Sequence, residues 1–214
     1  MSRPPDTSRR GDASTRRQRD PGTADRILDV AEVLVQERGF NGFSYAHVAA
    51  ELGMTKAALH YHFRGKAELG EALIERYAAR FADALEVIDE GPGNAREKLA
   101  AYAGLYADVL RRERMCLCGI LAAEYRTLPP PMCEAIVRFF DDNERWLARV
   151  LTVGRREDTL TFAGEPDDAA RALLAGLEGA MLVARPYGDA ARFSAAASRL
   201  LTSLDGSAGA ARPD

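Results

Sequence analysis

Between Thr55 and Phe63 the chain reads Thr-Lys-Ala-Ala-Leu-His-Tyr-His-Phe. This short segment gathers side chains suited to meeting a polyanion. The Lys56 ammonium can donate to guanine O6 or N7, and Ala57 and Ala58 offer methyl surfaces of the size that packs on thymine methyls. Thr55, His60 and Tyr61, with Ser44 and Tyr45 upstream, carry hydroxyl or imidazole donors of the kind that hold phosphates without reading sequence. Lys66 joins a cation to the free backbone N–H groups of a helix start, a second anion-attracting combination. His47 is open to two readings, a helix-end cap or a contact.

A different chemistry is offered by Cys116, Cys118 and Cys133. The run Met115-Cys116-Leu117-Cys118-Gly119 lies just after Arg111, Arg112 and Arg114. Cations of that kind lower a thiol pKa and favour a thiolate open to oxidants or electrophiles. The plainer reading is three thiols acting as small apolar groups. Residues two apart point different ways on a helix, so no direct Cys116–Cys118 bridge is expected. No metal site is expected, because all three histidines lie elsewhere, and no cofactor is implied. The chain lacks a glycine-rich phosphate loop, a nucleophile elbow and an HExxH pair, which argues against an enzyme. Asp141-Asp142 and Asp167-Asp168 read as solvated or helix-start acids.

These groups need elements to hold them, and the hydrophobic spacing is helical throughout. Ile27, Leu28, Ala31, Leu34 and Val35 mark a helix from about Ala24 to Arg38, ended by Gly39. Ser44 or Tyr45 opens a short helix with Val48, Ala49 and Leu52 inward, broken by Gly53. Thr55 caps the next, Lys56 to about His62, with Leu59 and Phe63 inward. Two short helices around a glycine turn form a helix-turn-helix pattern. A long helix follows, about Lys66–Ile88, spanning roughly 30–35 Å. Further helices are read at about 96–112, 117–128, 132–152, 167–185 and 189–204, with Pro129-Pro130-Pro131 as a sharp divider. The fold class is all-α. The domains are a polar arm rich in arginine at 1–22, read as disordered, a helix-turn-helix domain at 23–66, a helical domain at 67–204 and a frayed tail at 205–214.

Residues 1–66 hold eleven basic and eight acidic side chains, a net of +3, whereas the rest of the chain carries −6. The total of −3 therefore hides a basic end on an acidic body, compatible with nucleic-acid binding at one end. No apolar run approaches the roughly 18 residues of a membrane span. The polar start has no leader-like apolar stretch, so a cytoplasmic location is expected.

Arg26 to Tyr77 as a whole resembles the DNA-binding domain of the TetR family of repressors. Val48-Ala49, Gly53, Thr55, Leu59, Phe63, Lys66 and Leu69 stand at the pattern's positions, and Ala57 stands at a frequent glycine position. His60 departs from it, occupying a place usually held by a tyrosine that reaches a phosphate. An imidazole is expected to replace it, a neutral one through one N–H and a charged one more strongly, with different pH and salt sensitivity. The resemblance implies a palindromic double-stranded operator, a homodimer joined by the last two helices, and a small-molecule effector bound among the C-terminal helices, whose binding releases the DNA. Leucines and small residues on those two helices, among them Leu173, Leu174, Leu177, Met181, Gly176 and Gly179, suit the pairing. Phe81, Tyr102, Tyr106, Leu121, Tyr125, Phe139, Asn143 and Trp146 are the effector-site candidates. Tyr125, Asn143 and Trp146 stand out, because each has a polar atom that needs a partner if buried. Release through Cys116, Cys118 or Cys133 by an oxidant or electrophile is the alternative, and a helical protein-interaction module a more remote one.

Overall fold

The apolar stripes close into helices in a computed structural model that describes residues 21–205. The arm read at 1–22 and the tail read at 205–214 therefore lie almost wholly outside the described residues. The head is built from α1 (Pro21–Arg38), α2 (Tyr45–Leu52) and α3 (Lys56–His62). The body contains α4 (Lys66–Glu90), α5 (Ala95–Arg111), α6 (Leu117–Ala123), α7 (Pro130–Arg156), α8 (Pro166–Ala184) and α9 (Ala190–Thr202). Among the described residues there is no strand, only one isolated bridge between Thr161 and Asp205.

Several boundaries differ from the sequence reading by a few residues, and three have a clear local reason. The first helix starts at Pro21 rather than Ala24, since proline's fixed φ suits the first helical position. The segment read as one helix over 117–128 ends at Ala123 and passes through a 3-10 turn, Tyr125–Thr127. Leu128 must turn extended ahead of Pro129, and α7 then starts at Pro130. Asp205, read as tail, is tied down: its carboxylate pairs with Arg96 at 2.7 Å.

Ile27, Ala31, Leu34, Val35, Phe40, Phe43, Val48, Leu59 and Phe63 fill the head, with the Phe40 and Phe43 rings edge-on at 5.7 Å. α4 serves both halves. Its Leu69, Leu73 and Ile74 are buried near the head, and Arg76 pairs with Asp29 at 2.9 Å and Glu32 at 3.3 Å on α1. Further along, Tyr77 and Leu85 are buried in the body. α7 packs on α4, α5 and α8, and α8 packs on α9.

Leu173, Leu174, Leu177, Met181 and Phe193 are buried within the protomer, so they are not the free face of α8 and α9. That face carries Leu182 and Val183, exposed at 58% and 63%, with Gly179 beside open space. Gly176 is occupied by α9, because a Cβ there would stand 2.8 Å from Leu200 Cδ1.

Gly154 in α7 faces Ala95, where a Cβ would lie 2.7 Å from Ala95 Cβ. Gly154→Ala is expected to destabilise the chain by about 1–2 kcal/mol, the overpacking cost exceeding the gain in helix propensity. Urea unfolding measures it; a variant as stable as the parent would mean that α5 and α7 do not approach this closely.

Candidate nucleic-acid interface

α3 has only seven residues, too few to stand alone as a helix, and the surrounding chain supplies what it lacks. The Thr55 hydroxyl accepts from Ala58 N–H at 3.2 Å, capping its start. Leu59 and Phe63 anchor its inner face, with exposures of 1% and 8%. At its end, the Tyr45 hydroxyl donates to the Phe63 carbonyl at 3.0 Å, and the Tyr45 and His60 rings pack at a tilt, 4.7 Å between centroids. Lys56, Ala57 and His60 face outward, and Tyr61 is 44% exposed.

The structure assigns the predicted contact residues unequal roles. Ser44, Tyr45, Lys56, His60 and Lys66 line one open groove of about 410 Å³ together with Phe43 and Ala46. Thr55, Ala57 and Tyr61 lie outside that lining. The single O–H of Tyr45 is spent on Phe63, and burial pushes its pKa up to about 12. Tyr45 thus buttresses α3 and has no donor left for phosphate. Lys66 also turns inward: its ammonium donates to the Phe40 carbonyl and lies 4.4 Å from the centroids of both the Phe40 and Phe43 rings. Desolvation lowers its pKa, opposed by the charge of Glu124. His47 takes the capping role, its Nδ1 accepting from Ser44 N–H at 3.2 Å.

His60 corrects the sequence reading more sharply. Its Nδ1 lies 3.1 Å from the Arg64 carbonyl, which can only accept, so that nitrogen holds the hydrogen. A neutral ring then presents a bare Nε2 lone pair outward. Donation to a phosphate requires the doubly protonated ring.

In the body, Phe81 meets Tyr102, Tyr106 and Phe139 edge-on, and Tyr77 packs on Phe139 at a tilt. Trp146 stacks on Tyr102 at 5.4 Å and donates its Nε1–H to Asp89 at 3.0 Å. The Tyr102 hydroxyl lies 3.0 Å from that of Tyr106 and donates to Asn143 Oδ1 at 2.9 Å, while Asn143 Nδ2 donates to the Phe139 carbonyl at 2.8 Å. Leu121 is fully buried on α6. Tyr125 does not join this group; it is 46% exposed on the 3-10 turn.

Residues 27–73 match the model for bacterial regulatory proteins of the tetR family, and residues 88–200 match the tetracyclin repressor-like C-terminal domain. The HTH-type transcriptional repressor NemR of Escherichia coli is 31% identical over 170 residues, covering 76% of this chain and 84% of NemR. The chain belongs to the TetR family. A TetR-family regulator from Agrobacterium tumefaciens has the same fold, with a TM-score of 0.83 and 30% identity over 86% of this chain and 97% of that one. The reduced form of Escherichia coli NemR superposes with a TM-score of 0.75 at 28% identity, over 84% and 95% of the two chains.

In this TetR-family chain the cysteines differ from the reading based on nearby arginines. Cys116 and Cys118 are buried, and their pKa values are pushed up by that burial and by the charge of Glu178 on α8; no arginine lowers them. Tyr77 O–H donates to Cys116 Sγ at 3.7 Å, and Cys116 N–H donates to Met181 Sδ at 3.1 Å. Cys133 is half-buried, with its thiol 3.4 Å from the Tyr125 carbonyl. Among the described residues no group of His, Cys, Asp and Glu is placed to hold a metal, and no helix is long and apolar enough to cross a membrane. A thiol reagent applied to the native protein should modify Cys133 first, with Cys116 and Cys118 reacting only on unfolding, as mass spectrometry would show; fast labelling of Cys116 would contradict the burial.

Nothing in the sequence marks out Glu178, because one acid in a small-residue helix carries no signal. One of its oxygens is enclosed without a partner, and Gly119 opposite leaves the space its carboxylate fills. Burial raises its pKa from 4.5 to about 7. The folded state therefore binds more protons than the unfolded one between those values, and stability falls as pH rises through that window, then levels off. Glu178→Gln should flatten this slope, worth about 3 kcal/mol across the window. Parallel slopes in unfolding experiments from pH 4.5 to 7.5 would contradict it.

Proposed function

We propose that this chain is a homodimeric, sequence-specific repressor of double-stranded DNA promoters, released from a palindromic operator by a small-molecule effector. The observation that carries the reading is α3: an outward row of Lys56, Ala57 and Tyr61 on a helix fixed from behind by Leu59, Phe63 and the Tyr45–Phe63 hydrogen bond. Such a helix fits the major groove, where residues near its start reach base edges. Lys56 is the base reader. Tyr61, whose hydroxyl makes no hydrogen bond among the described residues, takes a phosphate, as do Thr55 and Ser44. Lys66 supports the head chiefly from within, and the protonated form of His60 adds a further phosphate contact.

Two copies must present α3 about 34 Å apart to enter successive turns of one groove. The exposed Leu182 and Val183 on α8, together with α9, form the dimer face in this reading. The effector enters the body at the aromatic cluster around Tyr102, Tyr106, Phe139, Asn143 and Trp146, and favours a head spacing that fits DNA poorly. The redox alternative acts through Cys133, the accessible thiol, or through opening of the site around Cys116 and Cys118. Operator release that survives replacement of all three cysteines by serine would remove it.

Selection of genomic fragments on the purified full chain tests the main reading. A recurrent palindrome is expected, bound by a dimer. Lys56→Ala should weaken that duplex by about 1–3 kcal/mol and relax specificity at one base pair in each half-site, whereas Tyr61→Phe should weaken all duplexes alike. A chain that stays a single subunit at micromolar concentration and retains no duplex in low salt would overturn the proposal.

A further inference from the structure

The turn that joins α1 to α2 is gripped from outside the head. At the end of α6, the Glu124 carboxylate accepts from Phe40 N–H at 2.7 Å and from Asn41 N–H at 3.1 Å, across 84 and 83 residues of sequence. Asn41 Nδ2 donates to Thr127 Oγ1 at 2.8 Å, and the Thr127 hydroxyl donates to the Glu124 carbonyl at 2.8 Å. From α4, Lys66 reaches the same turn through the Phe40 carbonyl. Gly39, at φ +78°, backs directly onto the carboxylate, where a Cβ would overlap Glu124. Hydrogen bonds to an ionised acceptor are roughly twice as strong as neutral ones. Two more ties approach α1 from the body: Met115 N–H donates to the Gln36 carbonyl at 3.3 Å, and the Arg185 guanidinium donates to the Glu37 carbonyl.

α6 is short, and its two ends meet different halves of the molecule. Leu117, Cys118 and Leu121 are fully buried, with Cys116 beside the Tyr77 hydroxyl. About 10 Å further on, at 1.5 Å per residue, the same rod ends on the head. α4 runs from head to body as a continuous element, but one shared helix leaves the head free to swing about it. Attachments separate from α4, the Glu124 grip on the turn with the Met115 and Arg185 ties beside it, remove that freedom.

We propose that Glu124 is a positioning residue: its carboxylate fixes the angle of the DNA-binding head on the body. The proposal rests on the repressor reading for its consequence at the operator, while its structural part is open to a measurement without DNA. The latch holds the DNA-competent angle, so breaking it weakens the operator complex.

The test uses the full-length dimer with Glu124→Ala and Glu124→Gln. Amide exchange at Phe40 and Asn41 reports the latch itself. Spin labels at Glu51→Cys, in a Cys133→Ser background, report the distance between the two heads. Glu124→Ala should speed exchange at both amides by about tenfold or more and broaden the distance distribution. It should lower affinity for the selected palindrome about 5- to 20-fold, with the thermal midpoint of the body little changed. Glu124→Gln keeps a carbonyl oxygen to accept from the turn but loses the charge, and should fall between the parent and Glu124→Ala. Unchanged exchange with a superposable distance distribution overturns the proposal, as does a broadened distribution with unaltered operator affinity. If the parent retains no duplex at all, the repressor reading fails, and exchange and distance still decide whether Glu124 sets the angle. Should Glu124→Ala not fold, Thr127→Ala, which removes the neighbouring Asn41 bond, must shift both readouts in the same direction.

Discussion

A seven-residue helix does not persist in water unaided, so every property of the head follows from how α3 is held. The cap at Thr55 orders its first turn, Leu59 and Phe63 supply apolar burial, and the Tyr45 hydroxyl closes its end. These supports come from α2 and the head core, and the core in turn rests on the first turns of α4. Of the residues facing outward, Lys56, Ala57 and Tyr61 are left without such duties. The division explains why Lys56 and Tyr61 are available to a partner while Tyr45 and Lys66, equally polar in sequence, are not.

The helical framework was legible because its signals are local. Stripes such as Ile27–Ala31–Leu34 and the glycines at 39 and 53, both at positive φ, fix type and boundary with no knowledge of the rest of the chain. The observed α3 coincides with the segment read from the Thr55 cap and the Leu59–Phe63 spacing. What stayed hidden depends on long-range contact. Which hydroxyl finds which carbonyl across 18 residues, or which carboxylate meets a turn 84 residues away, leaves no periodic trace. The arginines before Cys116 illustrate the converse error. They are near in sequence, but the thiol is enclosed and its nearest electrostatic partner is Glu178, on another helix. The leucines of α8 mislead similarly: apolar residues serve a core or an interface equally well, and only packing against α7 and α9 shows that Leu173, Leu174 and Leu177 serve the core.

The body contrasts with the head in how it satisfies polar groups. Tyr102, Tyr106 and Asn143 form a chain of hydrogen bonds inside an aromatic cluster, so the proposed effector, if bound there, would have to match those bonds or leave buried atoms unpaired. The unpartnered oxygen of Glu178 adds a second, unsatisfied acceptor beside Cys116.

The stacking of Trp146 on Tyr102 has an optical consequence. This is the chain's sole tryptophan, its ring is enclosed and its N–H is held by Asp89. Indole emission from the intact protein therefore originates at one place, between α4, α5 and α7. Its wavelength records the polarity of that interior and is blind to the distant surface that faces the double helix.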